Sequence, residues 1–396
     1  MENRKYKIVC LTPALYMAGG VERVLTLKAN YFAERLGHDI TIILTEHPEK
    51  SLFYELSPKV KVINLNIGFE ELWTCSFVKK IGIYLKKQRL FKKKLSDVLM
   101  QLKPDFTVSL LRREINFLSD IHDGSLKIGE LHVNRANYRN FEAGDDNWLK
   151  NIFAHFWMKS LVGRLKRLDQ FVVLTEEDRS AWSELHNVMT IPDPLTFYPA
   201  EASPLTEHRV IAVGRYAYQK GFDLLLQGWS QVEQRFPDWQ LAIYGQGDRT
   251  PYEQLADQLR LDPARCHLNG TIADIQQAYQ QSSVFAFSSR FEGFGMVLVE
   301  AMACGLPVVS TDCPCGPKDI VNHERDGLLV ESGNVKALAD GLARLMGSES
   351  LRRKLGETAR QSVKRFELET LAGQWQRLFD KLYVEKETGR PALNSK

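Results

Sequence analysis

Short runs of apolar and β-branched residues alternate along the chain with longer stretches whose apolar positions recur at helical spacing. In the first half, this pattern predicts buried strands at Lys7–Leu11, Asp39–Thr45, Val60–Leu65, Phe106–Leu110, Ile128–His132 and Phe171–Leu174. It predicts amphipathic helices over about 21–36, 77–102 and 147–167. Strands separated by helices of this length form βαβ units, so we expect a parallel sheet.

The same alternation restarts after a proline-rich stretch. Residues 191–209 contain four prolines and few periodic apolar positions, which is typical of a linker. Beyond it, strands are predicted at Val210–Val213, Leu241–Tyr244, Val284–Ser288, Val308–Thr311 and Leu328–Val330. We therefore predict an α/β protein of two Rossmann-like, doubly wound parallel-sheet domains facing a cleft, residues 1–195 and 196–366, with a C-terminal helix (367–396) that packs back on the first domain.

Length and composition agree with this prediction. The 396 residues suit two domains of about 100–200 residues each. A hydrophobic fraction of 44 % and a charged fraction of 26 % exclude global disorder. No apolar run approaches the roughly 18 residues of a membrane-spanning helix, and the charged N-terminus is predicted to begin a strand instead of a signal peptide. Six scattered cysteines without zinc spacing indicate a reduced, cytoplasmic chain.

The net charge of +3 hides one strongly basic segment. Residues 79–94 carry eight lysines and arginines and no acid, interleaved with apolar residues such as Ile81, Leu85 and Leu90. This mixture is typical of a helix lying in the surface of an anionic bilayer, which is our prediction for the segment. A plain solvated helix face is the alternative. Nucleic acid is a third possibility, but no RNA- or DNA-binding motif supports it.

Several catalytic signatures are missing from the sequence. The chain has no GxxxxGK[ST] phosphate loop, no GxSxG nucleophile motif and no DxD pair to hold a divalent metal on a diphosphate. Gly245 and Gly247 follow a predicted strand, but the third glycine of a dinucleotide fingerprint is absent, so they indicate a tight turn. We therefore expect neither a nucleotide cofactor nor a catalytic metal.

Two loops carry candidate chemistry in the second half. Arg215 and Lys220 lie between a strand and a helix, where a guanidinium and an ammonium can bind phosphate oxygens, although a plain surface loop has the same composition. Further on, Gly293 and Gly295 precede a helix whose N–H groups can face an anion.

Two glutamates frame that glycine loop, eight residues apart. We expect Glu292, in the loop, to reach sugar hydroxyls. We expect Glu300, about two turns along the helix, to accept hydrogen bonds from a ribose diol. For either glutamate alone, an ordinary ion pair is the alternative interpretation. Two glutamates at this spacing around a glycine loop argue against that alternative.

These residues resemble the motifs of the family 4 glycosyltransferases of the bacterial surface-polysaccharide type, retaining enzymes with the two-domain GT-B architecture. The pair Glu292 and Glu300 matches the family's Glu–seven residues–Glu signature. Four further short motifs occur in the family's order: Gly19-Gly20, Arg215…Lys220-Gly221, Asp312–Pro317 and Asp326-Gly327. The likeness covers nearly the whole chain, and its strength lies in the order of the five motifs.

The resemblance implies a role for each matched residue. Arg215 and Lys220 would bind the donor diphosphate, Glu300 the ribose and Glu292 the donor sugar. The glycine loop near the N-terminus would approach the donor phosphates and the acceptor. His132 would face the reacting sugar, with Glu130 as the alternative. The remaining donor contacts would come from Gly19, Gly20, Gly293, Phe294, Gly295 and Met296.

The function implied is transfer of a hexose or N-acetylhexosamine, with retention and without a metal or cofactor, from a nucleotide-sugar donor, expected to be a UDP-sugar. The acceptor would be a lipid-linked or cell-surface glycan, as in lipopolysaccharide or capsule synthesis. The enzyme would be cytoplasmic and peripheral on the inner face of the plasma membrane, with no nucleic-acid partner. A non-catalytic sugar-nucleotide-binding subunit and a nucleotide-sugar epimerase of the same architecture are the alternatives.

Overall fold

A computed structural model describes residues 4–74, 77–138 and 148–389, and the side chains of these residues outside 73–79 and 139–155. The chain forms two compact units. Unit 1 comprises Met1–Leu174, Asp178–Pro194 and Leu368–Lys396, and unit 2 comprises Thr175–Glu177 and Leu195–Glu367.

Unit 1 contains a parallel sheet of seven strands. In chain order they are β1 (Lys7–Leu11), β2 (Asp39–Leu44), β3 (Lys61–Asn64), β4 (Phe106–Ser109), β5 (Leu126–Glu130), β6 (Gln170–Val173) and β7 (Val188–Thr190). Their spatial order is β3-β2-β1-β4-β5-β6-β7. The helices along this part of the chain are α1 (Gly20–Glu34), α2 (Phe77–Leu102), α3 (Trp148–Leu165) and α4 (Glu176–Ala181).

Unit 2 contains a second parallel sheet, of six strands. These are β8 (Arg209–Val213), β9 (Gln240–Tyr244), β10 (Cys266–Asn269), β11 (Val284–Phe287), β12 (Val308–Asp312) and β13 (Leu328–Glu331), in the spatial order β10-β9-β8-β11-β12-β13. The helices are α5 (Phe222–Ser230), α6 (Thr250–Gln258), α7 (Ile275–Gln280), α8 (Met296–Ala303), α9 (Pro317–Ile320), α10 (Val335–Met346) and α11 (Glu349–Ser362). Two such sheets confirm the predicted fold class.

The last helix, α12 (Leu368–Thr388), belongs to unit 1. Because side chains alternate along a strand, β1 sends Ile8 to one face of the sheet and Val9 to the other. The Ile8 face is covered by α1 and by Trp375 and Phe379 of α12. The Val9 face is covered by α2, through buried residues such as Phe91. Helices on both faces explain why the central strands are apolar throughout.

Some boundaries differ from those predicted. Helix α8 begins at Met296, so Glu300 is its fifth residue and lies about one turn along the helix, not two. Strand β5 ends at Glu130, which places His132 two residues beyond the strand. Among the described residues, no helix combines the length and apolar character needed to cross a bilayer.

Candidate active site

The candidate donor residues lie at the carboxyl edge of the unit 2 sheet. The loops that follow β8, β11 and β12 all leave from this edge because the strands are parallel. The strand order reverses between β8 and β11, and ligands of open α/β sheets bind outside such a switch point. The Arg215–Gly221 loop follows β8, and the Ser288–Gly295 loop follows β11.

Glycines allow these loops to touch backbone to backbone. Gly221 has φ +60°, and a Cβ there would lie 2.1 Å from the carbonyl oxygen of Ser288. A Cβ on Gly245 would lie 1.6 Å from the Gly214 oxygen, which supports the tight-turn interpretation of that glycine. Any larger residue at these positions would push the loops apart, so the glycines fix the spacing of the candidate site.

Lys220 and Glu292 form an ion pair in this cluster. The Lys220 ammonium lies 2.6 Å from Glu292 Oε1, and Ser289 donates a hydrogen bond to the same oxygen at 2.6 Å. Glu292 is 7 % exposed. Its carboxylate is therefore fixed in orientation by several donors, and the lysine is drawn towards it. The loops after β8 and β11 are thereby joined through their functional side chains as well as through glycine.

Gln219 links the exposed Arg215 to this pair. Its amide oxygen lies 3.3 Å from the Arg215 guanidinium, and its amide nitrogen donates to Glu292 Oε2 at 3.3 Å. Gln219 was not singled out from the sequence, although its position between the two cations was the available signal. Arg215, Gln219, Lys220 and Glu292 are thus one connected group.

The segment Gly293–Met296 leads directly into α8. Gly295, with φ +109°, precedes the first helical residue, so the N–H groups of the first turn lie beside this glycine. Phe294 is 3 % exposed and its ring packs against Phe366, with centroids 5.3 Å apart. The Phe294 side chain thus anchors the loop, and only its backbone can serve a ligand.

Glu300 is buried near the start of α8 and is held by two hydroxyl groups. Thr196 Oγ1 donates to Glu300 Oε1 at 2.6 Å, and the Tyr279 hydroxyl lies 3.4 Å from Oε2. Neither hydroxyl was singled out from the sequence; Thr196 lies in the segment predicted to be a linker. These two hydroxyl groups orient the Glu300 carboxylate.

The candidate residues of unit 1 form a buried charge cluster. The Lys28 ammonium contacts Glu130 Oε1, and the same oxygen lies 3.3 Å from His132 Nε2. His132 Nδ1 lies 3.3 Å from Asp193. Burial by itself would lower the pKa of His132, but the charges of Asp193 and Glu130 outweigh it and raise that pKa to about 9. The imidazole is therefore cationic at neutral pH.

Both ring nitrogens of His132 face carboxylates in this cluster. The ring therefore has a fixed orientation between Glu130 and Asp193, and Lys28 pairs with Glu130. Glu130, His132 and Asp193 offer ligand atoms within 4.8 Å of one another, a spacing that suits a cation. The Lys28 ammonium and the imidazolium already balance the two carboxylates, so the charge of the cluster is compensated by protein groups alone.

Gly19 and Gly20 lie at the start of α1. Gly19 immediately precedes the helix with φ −90°, and Gly20 is its first residue. A Cβ on Gly20 would meet nothing within 4 Å, and one on Gly19 would meet the side chain of Glu22. The local packing therefore does not require glycine at position 20. The space beside the first residue of α1 is open.

Comparison with known proteins shows which family part of this chain resembles. Residues 197–362, which contain the whole cluster around Lys220 and Glu292, match the family described as Glycosyl transferases group 1. An uncharacterized glycosyltransferase of Haemophilus influenzae is 27 % identical over 364 residues, covering 90 % of this chain and 95 % of the relative. This part of the chain is therefore similar to the group 1 glycosyltransferases.

Two further comparisons extend this result. The chain is 23 % identical to GalNAc-alpha-(1->4)-GalNAc-alpha-(1->3)-diNAcBac-PP-undecaprenol alpha-1,4-N-acetyl-D-galactosaminyltransferase of Campylobacter jejuni, over 91 % of this chain and 95 % of that one. A mutant of S. aureus TarM, crystallised with fondaparinux, alpha-GlcNAc-glycerol and UDP, shares the GT-B fold at a TM-score of 0.73. That match covers 95 % of this chain and 100 % of TarM at 15 % identity.

Proposed function

We infer that this protein is a glycosyltransferase that transfers a hexose or N-acetylhexosamine, with retention, from a UDP-sugar to a hydroxyl of a lipid-linked glycan of the bacterial surface. The observation that carries the proposal is the cluster of unit 2. There, a lysine–glutamate pair and a buried, oriented glutamate lie at the switch point of a nucleotide-binding type of sheet. The UDP in the TarM structure and the undecaprenol-linked acceptor of the Campylobacter relative support the donor and acceptor classes.

In this proposal, unit 2 binds the donor. Arg215 and Lys220 supply positive charge for the diphosphate, and the N–H groups at the start of α8 add hydrogen bonds. Glu300, already oriented by Thr196, accepts hydrogen bonds from both hydroxyl groups of the ribose. Glu292 contacts hydroxyl groups of the donor sugar. Its ion pair with Lys220 fixes the position of the sugar-binding group relative to the diphosphate-binding group.

The chemical step places negative charge on the departing diphosphate. The bond from the anomeric carbon to the diphosphate oxygen breaks, and the acceptor oxygen bonds to the same face of the sugar. The acceptor's proton passes to the leaving phosphate oxygen, so UDP departs with that proton. Preorganised cations and N–H groups lower the barrier because they bind this developing charge best in the transition state. The proposal requires no metal. By the family resemblance, His132 would be a catalytic residue of unit 1, with Glu130 as the alternative.

The two glutamates of unit 2 provide the direct test. Glu300→Gln keeps the shape but replaces a charged acceptor, so UDP affinity should fall by about 1.5–3 kcal/mol in calorimetric titration. Glu292→Gln should lower turnover of the UDP-sugar and leave UDP affinity nearly unchanged, because UDP carries no sugar. If the two variants give the same pattern, the division of roles is wrong. A protein that binds UDP but never releases it from a UDP-sugar would instead be the non-catalytic subunit.

Thr196 should matter through Glu300 alone. Thr196→Val removes the hydroxyl that orients the carboxylate at 2.6 Å, so we expect UDP to bind roughly tenfold more weakly. Thr196→Ser should restore affinity because it keeps the hydroxyl. Pyrophosphate, which has no ribose, should bind both variants as it binds the wild type. A parallel loss of pyrophosphate affinity would show that Thr196 serves the fold of the site instead.

Helix α2 supports the proposed attachment to an anionic membrane. Its buried side carries Phe91, while Ile81 and Leu85 are 50 % and 51 % exposed. Lys86, Arg89 and Lys93 are also exposed, so cations and apolar groups share the solvent-facing side. This arrangement fits a helix resting on the cytoplasmic leaflet, with about 1 kcal/mol of attraction per cation near the surface.

Not every lysine of the segment is available for lipid. Lys87 donates to the carbonyl oxygens of Ile67 and Gly68 at 2.7 and 2.6 Å, and Lys94 donates to that of Leu65 at 2.7 Å. These two lysines secure the loop after β3. Changing them would damage the fold, so a test of membrane binding has to leave them in place.

Charge reversal at Lys80, Lys86, Arg89 and Lys93 should abolish sedimentation with anionic vesicles made of phosphatidylcholine and phosphatidylglycerol. Binding of the wild type should weaken steeply with salt, since charges are screened over about 8 Å at physiological ionic strength. The matched control reverses four other exposed cations, Arg35, Lys59, Lys336 and Lys354. Equal binding of the wild type to neutral and anionic vesicles would contradict the prediction and leave α2 as an ordinary solvated face.

A further inference from the structure

We propose that His132 serves the transfer reaction as a fixed cation and not as a proton acceptor. Asp193, Glu130 and Lys28 are the positioning residues that hold it in this form. The inference rests on the proposed function, in which the acceptor's proton passes to the leaving phosphate oxygen. It goes further because it excludes His132 as the base and decides against Glu130 as the catalytic residue of unit 1.

The four side chains meet in the interior of unit 1. Lys28 lies on α1, Glu130 ends β5, and Asp193 lies three residues beyond β7. Together with His132, their side chains are only 2–7 % exposed. At such low exposure, water neither screens the charges nor replaces a lost partner. The protonation of each group is therefore set by its neighbours.

Both nitrogens of the His132 ring face carboxylates. Nε2 lies 3.3 Å from Glu130 Oε1, and Nδ1 lies 3.3 Å from Asp193 Oδ1. A neutral imidazole has a proton on one nitrogen only, so it would turn a lone pair towards one of these carboxylates. The imidazolium has a proton on each nitrogen and is the form that this geometry stabilises. Although burial lowers the pKa of His132, the charges of Asp193 and Glu130 raise it to about 9.

Glu130 is held between two cations. Its Oε1 contacts the Lys28 ammonium and lies 3.3 Å from His132 Nε2. Burial raises the pKa of Glu130, but the charges of Lys28 and His132 outweigh burial and lower that pKa to about 2. Such a weakly basic carboxylate does not accept a proton from a sugar hydroxyl at neutral pH. Glu130 therefore acts by positioning His132.

Lys28 also contacts an aromatic ring of the last helix. Its ammonium lies 4.5 Å from the centre of the Trp375 ring on α12, a cation–π contact. Cys10 of β1 lines the same small cavity as Lys28 and Glu130. Burial raises the pKa of the Cys10 thiol to about 12, so the thiol adds no charge at neutral pH. Two cations thus face two carboxylates, and loss of the His132 proton would leave a net negative charge in the interior.

The pH dependence of kcat tests the proposal. A base acts when it is deprotonated, so kcat would rise as the pH passes the pKa of the base. A fixed cation acts when it is protonated, so we expect kcat to fall as the pH rises through about 9. The sign follows because the charge of a group with a raised pKa is present below that pKa and is lost above it. A kcat that rises with pH through the pKa of His132 overturns the inference.

Asp193→Asn should shift this profile. The substitution keeps the shape of the side chain but removes one of the two carboxylates, so the fall in kcat should move to lower pH by about 1 or more. Asp193→Glu keeps the charge and should restore much of the activity at high pH. The matched control is Asp340→Asn, which removes an exposed aspartate paired with Lys336 and should leave the profile unchanged. A lower kcat in Asp193→Asn without any shift of the profile would mean that Asp193 serves only the fold.

Nuclear magnetic resonance separates this inference from the proposed function. The chain has nine histidines, and comparison with His132→Gln identifies the His132 signal in protein isotope-labelled at the ring Cε1. That signal should titrate near pH 9 in the wild type and at lower pH in Asp193→Asn, whether or not any UDP-sugar turns over. A midpoint of about 6.5, as in a free imidazole, overturns the inference. If Asp193→Asn does not fold, the wild-type titration and profile decide. No turnover of any UDP-sugar, together with the expected titration, would count against the proposed function alone.

Discussion

Lys220→Ala should lower kcat by about 10²–10³, the usual cost of removing one preorganised group that stabilises developing charge. Lys220 helps to join the loops after β8 and β11, because its ammonium lies 2.6 Å from Glu292. Removing it takes a cation from the diphosphate. It also leaves a carboxylate of 7 % exposure without its ionic partner. The measurement is the rate of UDP release from whichever UDP-sugar turns over fastest.

The control for this loss is Lys336→Ala. Lys336 lies in the same unit on α10, is exposed, and pairs only on the surface with Asp340 at 2.8 Å. Its removal should change kcat by less than a factor of about two, since surface pairs contribute little. EDTA should also leave the wild-type rate nearly unchanged. Complete loss in EDTA, reversed by Mn²⁺, would show that a metal carries the charge that we assign to Lys220 and Arg215.

Gly221→Ala should destabilise unit 2 and nearly abolish activity. The new methyl group would lie 2.1 Å from the Ser288 carbonyl oxygen, in a backbone conformation with φ +60°. That oxygen belongs to backbone, so a side-chain rotation cannot relieve the clash. The two loops must separate, and Lys220 moves with one of them. The expected result is a clear fall in Tm together with loss of UDP-sugar turnover.

Gly333→Ala separates the steric clash at Gly221 from the cost of placing alanine in a left-handed backbone conformation. Gly333 has φ +77°, close to that of Gly221, but a Cβ there would have no neighbour within 4 Å. It should therefore show only the intrinsic cost of the left-handed conformation, about 1–2 kcal/mol. Gly221→Ala should cost well over that amount by chemical denaturation. Equal destabilisation in the two variants would mean that the loops yield easily and that the close approach is unimportant.

The sequence was informative where strands are buried on both faces. The central strands β1, β4, β8 and β11 are short apolar runs between helices. This pattern can be recognised without any knowledge of tertiary contacts. Strands β7 and β10 were not predicted, because they lie at the edges of their sheets and their residues are only partly buried. A half-exposed strand of three or four residues leaves too weak a pattern.

Some residues of the candidate site could be found from the sequence and others could not. Arg215, Lys220 and the glutamate pair were singled out because charged residues at glycine-rich strand ends form a local pattern. Thr196, Gln219 and Tyr279 were not, because what matters in each is a contact with a residue distant in sequence. Thr196, for example, contacts a carboxylate 104 positions further along the chain. Asp193 and Lys28 escaped notice for the same reason, since the fold alone brings them to His132 and Glu130.

Helix α12 has a consequence for how the protein is made. It supplies Trp375 and Phe379 to the core of unit 1 and binds the N-terminal strand region through Asp380, which accepts from the Tyr6 hydroxyl at 2.6 Å. At about 5–20 residues per second, the ribosome needs roughly 10–35 s to make the intervening Leu195–Glu367. During that interval the nascent unit 1 exposes the apolar face that α12 later covers. The half of the protein that is synthesised first is therefore completed last, and chains truncated before α12 are the ones that chaperones and proteases should capture.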